Sequence, residues 1–444
     1  MISALRRWLA TNRVLLGNTS SLLGTTAVTS LLGVAFYGVL PSYFSPHAIG
    51  FALTAIAAMM ILSQISTLGL QTLLVGELPR QRDRAAPLIA TALLVAGATG
   101  AGIGALFAAL TTSLFAVLKL GELAAGLGSV AIFALGVGLT TVVFVLDAAL
   151  VGLLRGNLQF GRNTILAVAK LGAVVVAGQL FRDAGSLAIY AAWAAGNVVS
   201  LLGLATFVVA RGQWPRVYRP RLSLLRGLGR SALRHHALNL VQTIPNTAFP
   251  LVVTAILSAT MSTYFNYSWL VASFVSLGLS ALTTVLYAVG AADPAALAQK
   301  MRVTLWLSFG AVLLATLVVL VGADRIMTLL GHGDRRYADY GAWSLRIFEV
   351  GMFPLIIRTH YVAVSRVYGR MARAALVIAA GGALELVSAS IGARMGGLTG
   401  FGVGWFVAVS IEALLMARTV YRATTAVDVS ERRPVNEIQL SSSV

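Results

Sequence analysis

The sequence predicts an all-α polytopic membrane protein, with twelve transmembrane helices in two six-helix lobes related by a parallel repeat. Three observations carry this reading. The chain is 58% hydrophobic and 11% charged, with mean hydropathy +0.85, whereas a soluble domain carries about 25% charged residues. Its apolar residues fall into twelve runs, and a spanning helix needs about 20 such residues. Midway along, RGQWPRVYRPRLSLLRGLGRSALR (Arg211–Arg234) holds seven arginines and no acid. Arginine-rich segments beside membrane helices stay cytoplasmic, so this connector both divides the chain and orients it.

The N-terminus, 1–13, is basic and is expected in the cytoplasm. The apolar run after it is too long for a signal-peptide core and is read as the first helix. The first lobe, 14–210, has spans at 17–40, 48–76, 86–115, 127–153, 163–181 and 185–210. Ser45-Pro46, Arg80 to Arg84, Gly121-Glu122, Arg155 to Arg162 and Arg182-Asp183 mark the breaks between them. GATGAGIG (Gly97–Gly104) lies inside a span and lacks a following Lys-Ser/Thr, so it reads as a close-packing face, not a phosphate loop. In the connector, 211–234, Pro215 and Pro220 keep the first part out of helix. Leu222 to Leu233 has the pattern of a short amphipathic helix on the membrane surface. The second lobe, 235–420, has spans at 235–257, 262–290, 302–322, 340–363, 373–392 and 399–420. The polar tail, 421–444, reads as disordered and cytoplasmic.

The charges test this topology. With both termini in the cytoplasm, 24 of the 33 lysines and arginines lie inside and six outside, while Lys170, Arg346 and Arg358 lie within spans. That split supports an even number of helices. Six helices per lobe make both lobes start on one side, as a parallel repeat requires. The ends of helices four and ten support the repeat: in DAALVGLLRGNLQFGR and RTHYVAVSRVYGRMAR, Asp147 aligns with Arg358 and Arg155 with Arg366. The net charge of +18 is spread over short loops between apolar runs, which disfavours nucleic acid as a partner. The chain has no cysteine, and its five histidines lack metal-ligand spacing.

Charged groups within spans are costly and mark candidate sites. Asp147 and Lys170 are equidistant from a turn placed at Leu158-Gln159, which puts them at one depth on helices four and five. Glu349 and Glu385 are likewise equidistant from Val367, and Arg346 lies one turn from Glu349. Two readings stand for each. Asp147–Lys170 is a structural clip or part of a water-filled cavity. Arg346–Glu349 is a neutralised pair or part of an Arg–Glu–Glu cluster. Arg358 snorkels to headgroups or binds an anionic substrate group, since guanidinium suits phosphate. Glu349 and Glu385, if close, would share a proton; with Asp147 they are the candidate coupling or gating residues. Asn18 in helix one, Gln64 in helix two, and Asn239 and Gln242 in helix seven are candidate lining of a polar path. The alternative for these is interhelical hydrogen bonding. Pro245 and Pro250 allow helix seven to kink.

The run from Asn18 to Arg80 contains NTSSLLG, the turn FSPHAIG and SQISTLGL closed by LPR. It resembles the opening of bacterial polysaccharide flippases of the O-antigen and teichoic acid type. Those belong to the multidrug/oligosaccharidyl-lipid/polysaccharide exporter superfamily. The resemblance extends as a pattern over about residues 14–422. It implies a translocase, not an enzyme, in the bacterial inner membrane. Such a protein moves a polyprenyl-pyrophosphate-linked oligosaccharide to the outer leaflet by alternating access. Arg358 is then the first choice for the pyrophosphate, with Arg346 and Lys170 beside it, and no cofactor is needed beyond a coupling H+ or Na+. Membrane lipids, glycosyltransferases and a polysaccharide polymerase are the implied partners. A proton- or sodium-coupled multidrug antiporter of the same superfamily is the alternative. A non-transporting scaffold for cell-envelope enzymes is the second.

Overall fold

The computed structural model describes residues 13–79, 84–211, 221–222, 229–292 and 297–425. The spans are numbered α1 to α12. The first lobe has α1 (Arg13–Tyr43), α2 (Pro46–Ser66 and Leu70–Glu77), α3 (Ala85–Ala109), α4 (Leu127–Gly152), α5 (Gly156–Leu180) and α6 (Gly185–Ala210). The second has α7 (Gly229–Ile256), α8 (Ala259–Ala292), α9 (Leu297–Leu330), α10 (Arg336–Val350 and Met352–Val367), α11 (371–395) and α12 (398–425). Among the described residues, eight helices are long and apolar enough to cross a membrane, and nine with the two halves of α10 taken together. One of these, Met371–Thr425, loses helical geometry at Gly396 and Gly397 and so holds two crossings. The other two spans are α1 and α7, whose described apolar parts are Val28–Tyr43 and Thr243–Ile256.

The breaks follow from local chemistry. Ser45 caps the start of α2, its hydroxyl accepting the Ala48 amide at 3.3 Å, with Pro46 in the first turn. Within α2, Leu68 and Gly69 both take left-handed φ, 51° and 79°, which interrupts the expected single helix 48–76. The expected end of α3 at 115 comes at Ala109 instead, and short 3-10 turns carry the chain on to Ala124. The start of α5 comes earlier than expected, at Gly156. The tail begins as helix, since α12 runs to Thr425, and 426–444 lies outside the described residues, as does most of the connector.

The repeat is visible in the packing. Helix α4 lies against α2, α3 and α6 as α10 lies against α8, α9 and the α11–α12 unit. The glycines of α3 seat it on α4: a Cβ at Gly100 would stand 3.0 Å from Gly138 Cα, and one at Gly104 2.9 Å from Val137. Between lobes, α2 meets α7 and α8. One apolar cluster, including Phe36, Phe51, Phe133, Phe249, Phe265 and Phe348, crosses between the lobes in the arginine-poor half. In the arginine-rich half each lobe has its own cluster, around Leu74 and Val145 in one and around Leu286 and Met416 in the other.

Hydroxyls line the seam in the arginine-poor half. Thr54 on α2 is 2.7 Å from the Thr254 hydroxyl and 2.9 Å from that of Ser262. Lys119 Nζ donates to the Leu257 carbonyl at 2.9 Å, and Tyr267 donates to the Tyr37 carbonyl at 2.6 Å. Gly50 lets α2 reach the Ala259 carbonyl, and a Cβ there would stand 2.6 Å from the Thr263 hydroxyl. Overpacking of this kind costs about 1–3 kcal/mol, so Gly50→Val is expected to prise the seam apart. The cysteine-free chain allows a direct readout through Thr54→Cys. Adding Gly50→Val should speed its maleimide labelling roughly tenfold; an unchanged rate would show that the seam tolerates the side chain.

Candidate functional site

Each lobe carries a buried charged assembly. In the second lobe Arg358 lies on the second half of α10, Glu385 on α11, and Trp405 and Glu412 on α12. Arg358 Nη1 donates to Glu385 Oε1 at 2.5 Å and lies 3.5 Å from Glu412 Oε2. Trp405 Nε1 donates to the other Glu385 oxygen at 2.8 Å. Both carboxylates are buried, while the Arg358 side chain keeps 14% exposure. The indole of Trp405 sits edge-on to Trp269 and Phe348 at 5.3 and 5.5 Å. It also reaches Gly351, where the halves of α10 bend by 43°. A Cβ at Gly351 would overlap the indole. The triad is therefore linked through one tryptophan to the bend of α10.

In the first lobe Asp147 on α4 accepts two hydrogen bonds from Arg162 on α5, at 3.0 Å to Nε and 2.8 Å to Nη2. Arg162 also donates to Ser200 and Asn163. Its side chain has no solvent exposure. Lys170, also on α5, lies with Nζ 4.4 Å above the Trp193 ring and 5.4 Å from Phe36. Among the described residues it has no carboxylate partner, so the aromatic faces of α1 and α6 hold it by cation–π attraction.

Several charges pair differently from what the sequence predicts. Asp147 pairs with Arg162 and not with Lys170, because the turn lies at Leu153 to Arg155 rather than at Leu158-Gln159. Leu154, with φ 55°, is its sharpest residue, and the midpoint of 147 and 162 falls beside it. Arg162, expected in a cytoplasmic loop, is thereby buried. Arg346 does not pair with Glu349; it turns to Asp324 on α9 and donates to the Leu320 carbonyl at 3.1 Å. Arg358 does not snorkel to headgroups, because Glu385 and Glu412 hold it inside the lobe. Glu349 and Glu385 do not share a site. Glu349 is fully buried, and neither of its oxygens has a hydrogen-bond partner among the described residues. Gln64 is half-buried, and its side chain has no hydrogen bond among the described residues. The side chains of Asn18, Asn239 and Gln242 lie outside the described ones. Glu412 was missed by sequence reasoning, although it is an acid within an apolar span, the same signal that marks Glu385.

No family model and no curated relative matches the sequence. Solved structures do. The chain superposes over 90% of its length on 96% of an inward-facing multidrug resistance MATE family transporter of the MOP superfamily, at TM-score 0.67 and 16% identity. The chain has the MATE fold. A variant of the Vibrio cholerae MATE transporter VcmN matches at TM-score 0.57 and 16% identity, with 91% of this chain and 98% of that one covered. A MOP superfamily transporter from Pyrococcus furiosus, for which a binding pocket of reverse polarity suggests a different function, matches at 0.56 and 13%, covering 94% and 96%. At these identities the likeness is one of MATE fold, and the charged assemblies of this chain have to be read from its own residues.

Removing one member of a buried ion pair costs about 3–5 kcal/mol, because the other is left uncompensated. Arg162→Ala should therefore lower the thermal midpoint in detergent sharply. Asp147→Asn added to it should recover part of the loss. A double variant as unstable as Arg162→Ala alone would place the cost in lost packing of the arginine instead.

Proposed function

We propose that this protein is an alternating-access transporter of the plasma membrane, with both termini cytoplasmic, that couples small-molecule export to entry of a proton or sodium ion. The carrying observation is the triad of the second lobe. Two buried carboxylates face one guanidinium, so with both ionised the group bears one uncompensated negative charge. A proton or small cation removes it. Cation binding at Glu385 or Glu412 changes the demand on Arg358 and on the Trp405 hydrogen bond. Through the contact of Trp405 with Gly351 it changes the bend of α10. Glu349, buried with no hydrogen-bond partner among the described residues two residues before that bend, is a second coupling position on the same helix. Support for alternation comes from the core, which the lobes share in the arginine-poor half and keep separate in the other. The names of the superposed structures, a multidrug resistance transporter among them, favour a small organic molecule as cargo.

A second reading keeps the fold and changes the cargo. Lys170 is a cation in the first lobe with no acid partner among the described residues, and the connector holds seven arginines. These features, with the flippase-like run from Asn18 to Arg80, favour a polyprenyl-pyrophosphate-linked oligosaccharide, with glycosyltransferases and a polymerase as partners.

Proteoliposomes separate the readings. Ethidium accumulation driven by an imposed pH or sodium gradient is expected, and Glu385→Gln/Glu412→Gln should weaken its dependence on the gradient by at least about fivefold, the usual scale of site coupling. Equal gradient dependence in the double variant would remove the triad from coupling. On the second reading, fluorescent lipid-linked oligosaccharide flips and Lys170→Met slows it about tenfold, while ethidium is not carried. Activity in neither assay would return the protein to a scaffold role.

A further inference from the structure

A cavity of about 510 Å³ opens at the arginine-rich end of the second lobe, between the end of α10, the start of α11 and the end of α12. Arg370, Arg373, Arg418 and Arg422 stand around it, all exposed. Among the described residues no acid lines it, and none of the four arginines has a carboxylate partner. Its floor is Tyr361 and Ser365, both buried, whose hydroxyls make no hydrogen bond among the described residues. Four guanidiniums held together without counter-charge repel one another and call for an anion with several oxygens, since guanidinium matches phosphate geometry.

The surroundings say which anion. Leu415 lines the cavity and is 73% exposed. It continues a stripe of exposed apolar residues on one face of α12: Val403, Val407, Ile411 and Leu414. These recur at helical spacing and end where Arg418 and Arg422 begin. An apolar stripe leading to an arginine cluster fits a molecule with an acyl chain on a phosphate. Basic pockets between helices at the cytoplasmic end of a membrane protein take anionic lipid headgroups. The pseudo-equivalent place in the first lobe shows that the repeat does not impose this. There a smaller cavity of about 140 Å³ has, among the described residues, Arg155 and Arg211 as its basic lining, and Arg211 is stacked 4.5 Å from Phe207.

We propose that this cavity is a binding site for the phosphate headgroup of an anionic phospholipid, with its acyl chains along α12, outside the translocation path. Its four charges suit two phosphates, so a diphosphatidylglycerol is the best fit among such lipids. The site rests on none of the transport readings above, and its test uses binding alone.

The experiment is a titration of the purified full chain in detergent, followed by native mass spectrometry. Cardiolipin, phosphatidylglycerol, phosphatidylcholine and inorganic pyrophosphate are the probes. Cardiolipin should bind most tightly and phosphatidylcholine weakly. Arg418→Gln/Arg422→Gln should weaken cardiolipin about thirtyfold, from the contribution of two basic residues near a lipid headgroup. Arg155→Gln/Arg211→Gln removes the same charge from the other lobe and should leave the affinity unchanged. Equal weakening by both double variants would reduce the site to general surface charge, and unchanged cardiolipin affinity in Arg418→Gln/Arg422→Gln would overturn it outright. Pyrophosphate binding as tight as cardiolipin binding would assign the cavity to a free phosphate ligand and overturn the lipid.

Discussion

A carboxylate or guanidinium within hydrocarbon has no bulk water to turn to, and its counter-charge has to come from the protein. That constraint orders the interior of both lobes. In the first, an acid on α4 meets a base on α5. In the second, a base on α10 meets an acid on α11. The same two helices are clipped together in each lobe with the polarity exchanged, and Asp147 and Arg358 are the residues that the repeat aligns. Once these pairs are satisfied, few charges remain. Among the described residues Lys170 has only aromatic faces and Glu349 has no hydrogen-bond partner, and Glu412 shares an arginine already bound more closely by Glu385. On the transport reading, the groups that folding leaves unmatched are the ones with something still to bind.

The lobes are joined in a way that permits separation. Within a lobe the helices are locked by buried ion pairs and glycine-seated packing. Across the seam most polar contacts are hydroxyls meeting hydroxyls or carbonyls, as at Thr54, Ser262 and Tyr267, joined by the Lys119 ammonium at the Leu257 carbonyl and the His236 and His332 rings at the Ile65 and Gly38 carbonyls. Interhelical hydrogen bonds of this sort are worth about 0.6 kcal/mol each in a membrane. Such a seam seals without fastening: Thr54 keeps the Gly50 carbonyl of its own helix as a second partner, at 2.7 Å. Parting the lobes therefore strands few polar groups, and the cost falls on the aromatic contacts they share.

Much of this was legible in the sequence because hydrocarbon imposes simple rules. Span count, lobe division and the glycine face of α3 follow from length, charge and residue size. The acids and bases within the spans were legible as individuals. Their pairing was not, because it depends on where each turn falls. Placing the α4–α5 turn four residues late moved Arg162 into a loop and put Lys170 opposite Asp147. The side chain of Arg346 showed a different limit: one turn along a helix from Glu349, it points to another neighbour, since residues three apart share a face only roughly. Glu412 carried the same signal as Glu385 and was not singled out; its partner, Arg358, lies on α10.

The difference between the lobes bears most on mechanism. A parallel repeat gives both halves the same wall of helices, and a transporter built of identical halves would offer its cargo and its coupling ion the same chemistry. Here the chemistry has diverged while the architecture has not. The first lobe holds a neutral pair and a lone cation over tryptophan; the second holds an arginine with one carboxylate more than it can neutralise. On the transport reading, a small cation and a substrate bearing negative charge or aromatic surface then have separate places to go, one per lobe. Because the second-lobe place is tied by Trp405 to the bend of α10, filling it acts on a helix that packs against α8, and α8 forms the seam with α2. On that reading the coupling route is a short run of direct contacts, from carboxylate to indole to bend to seam.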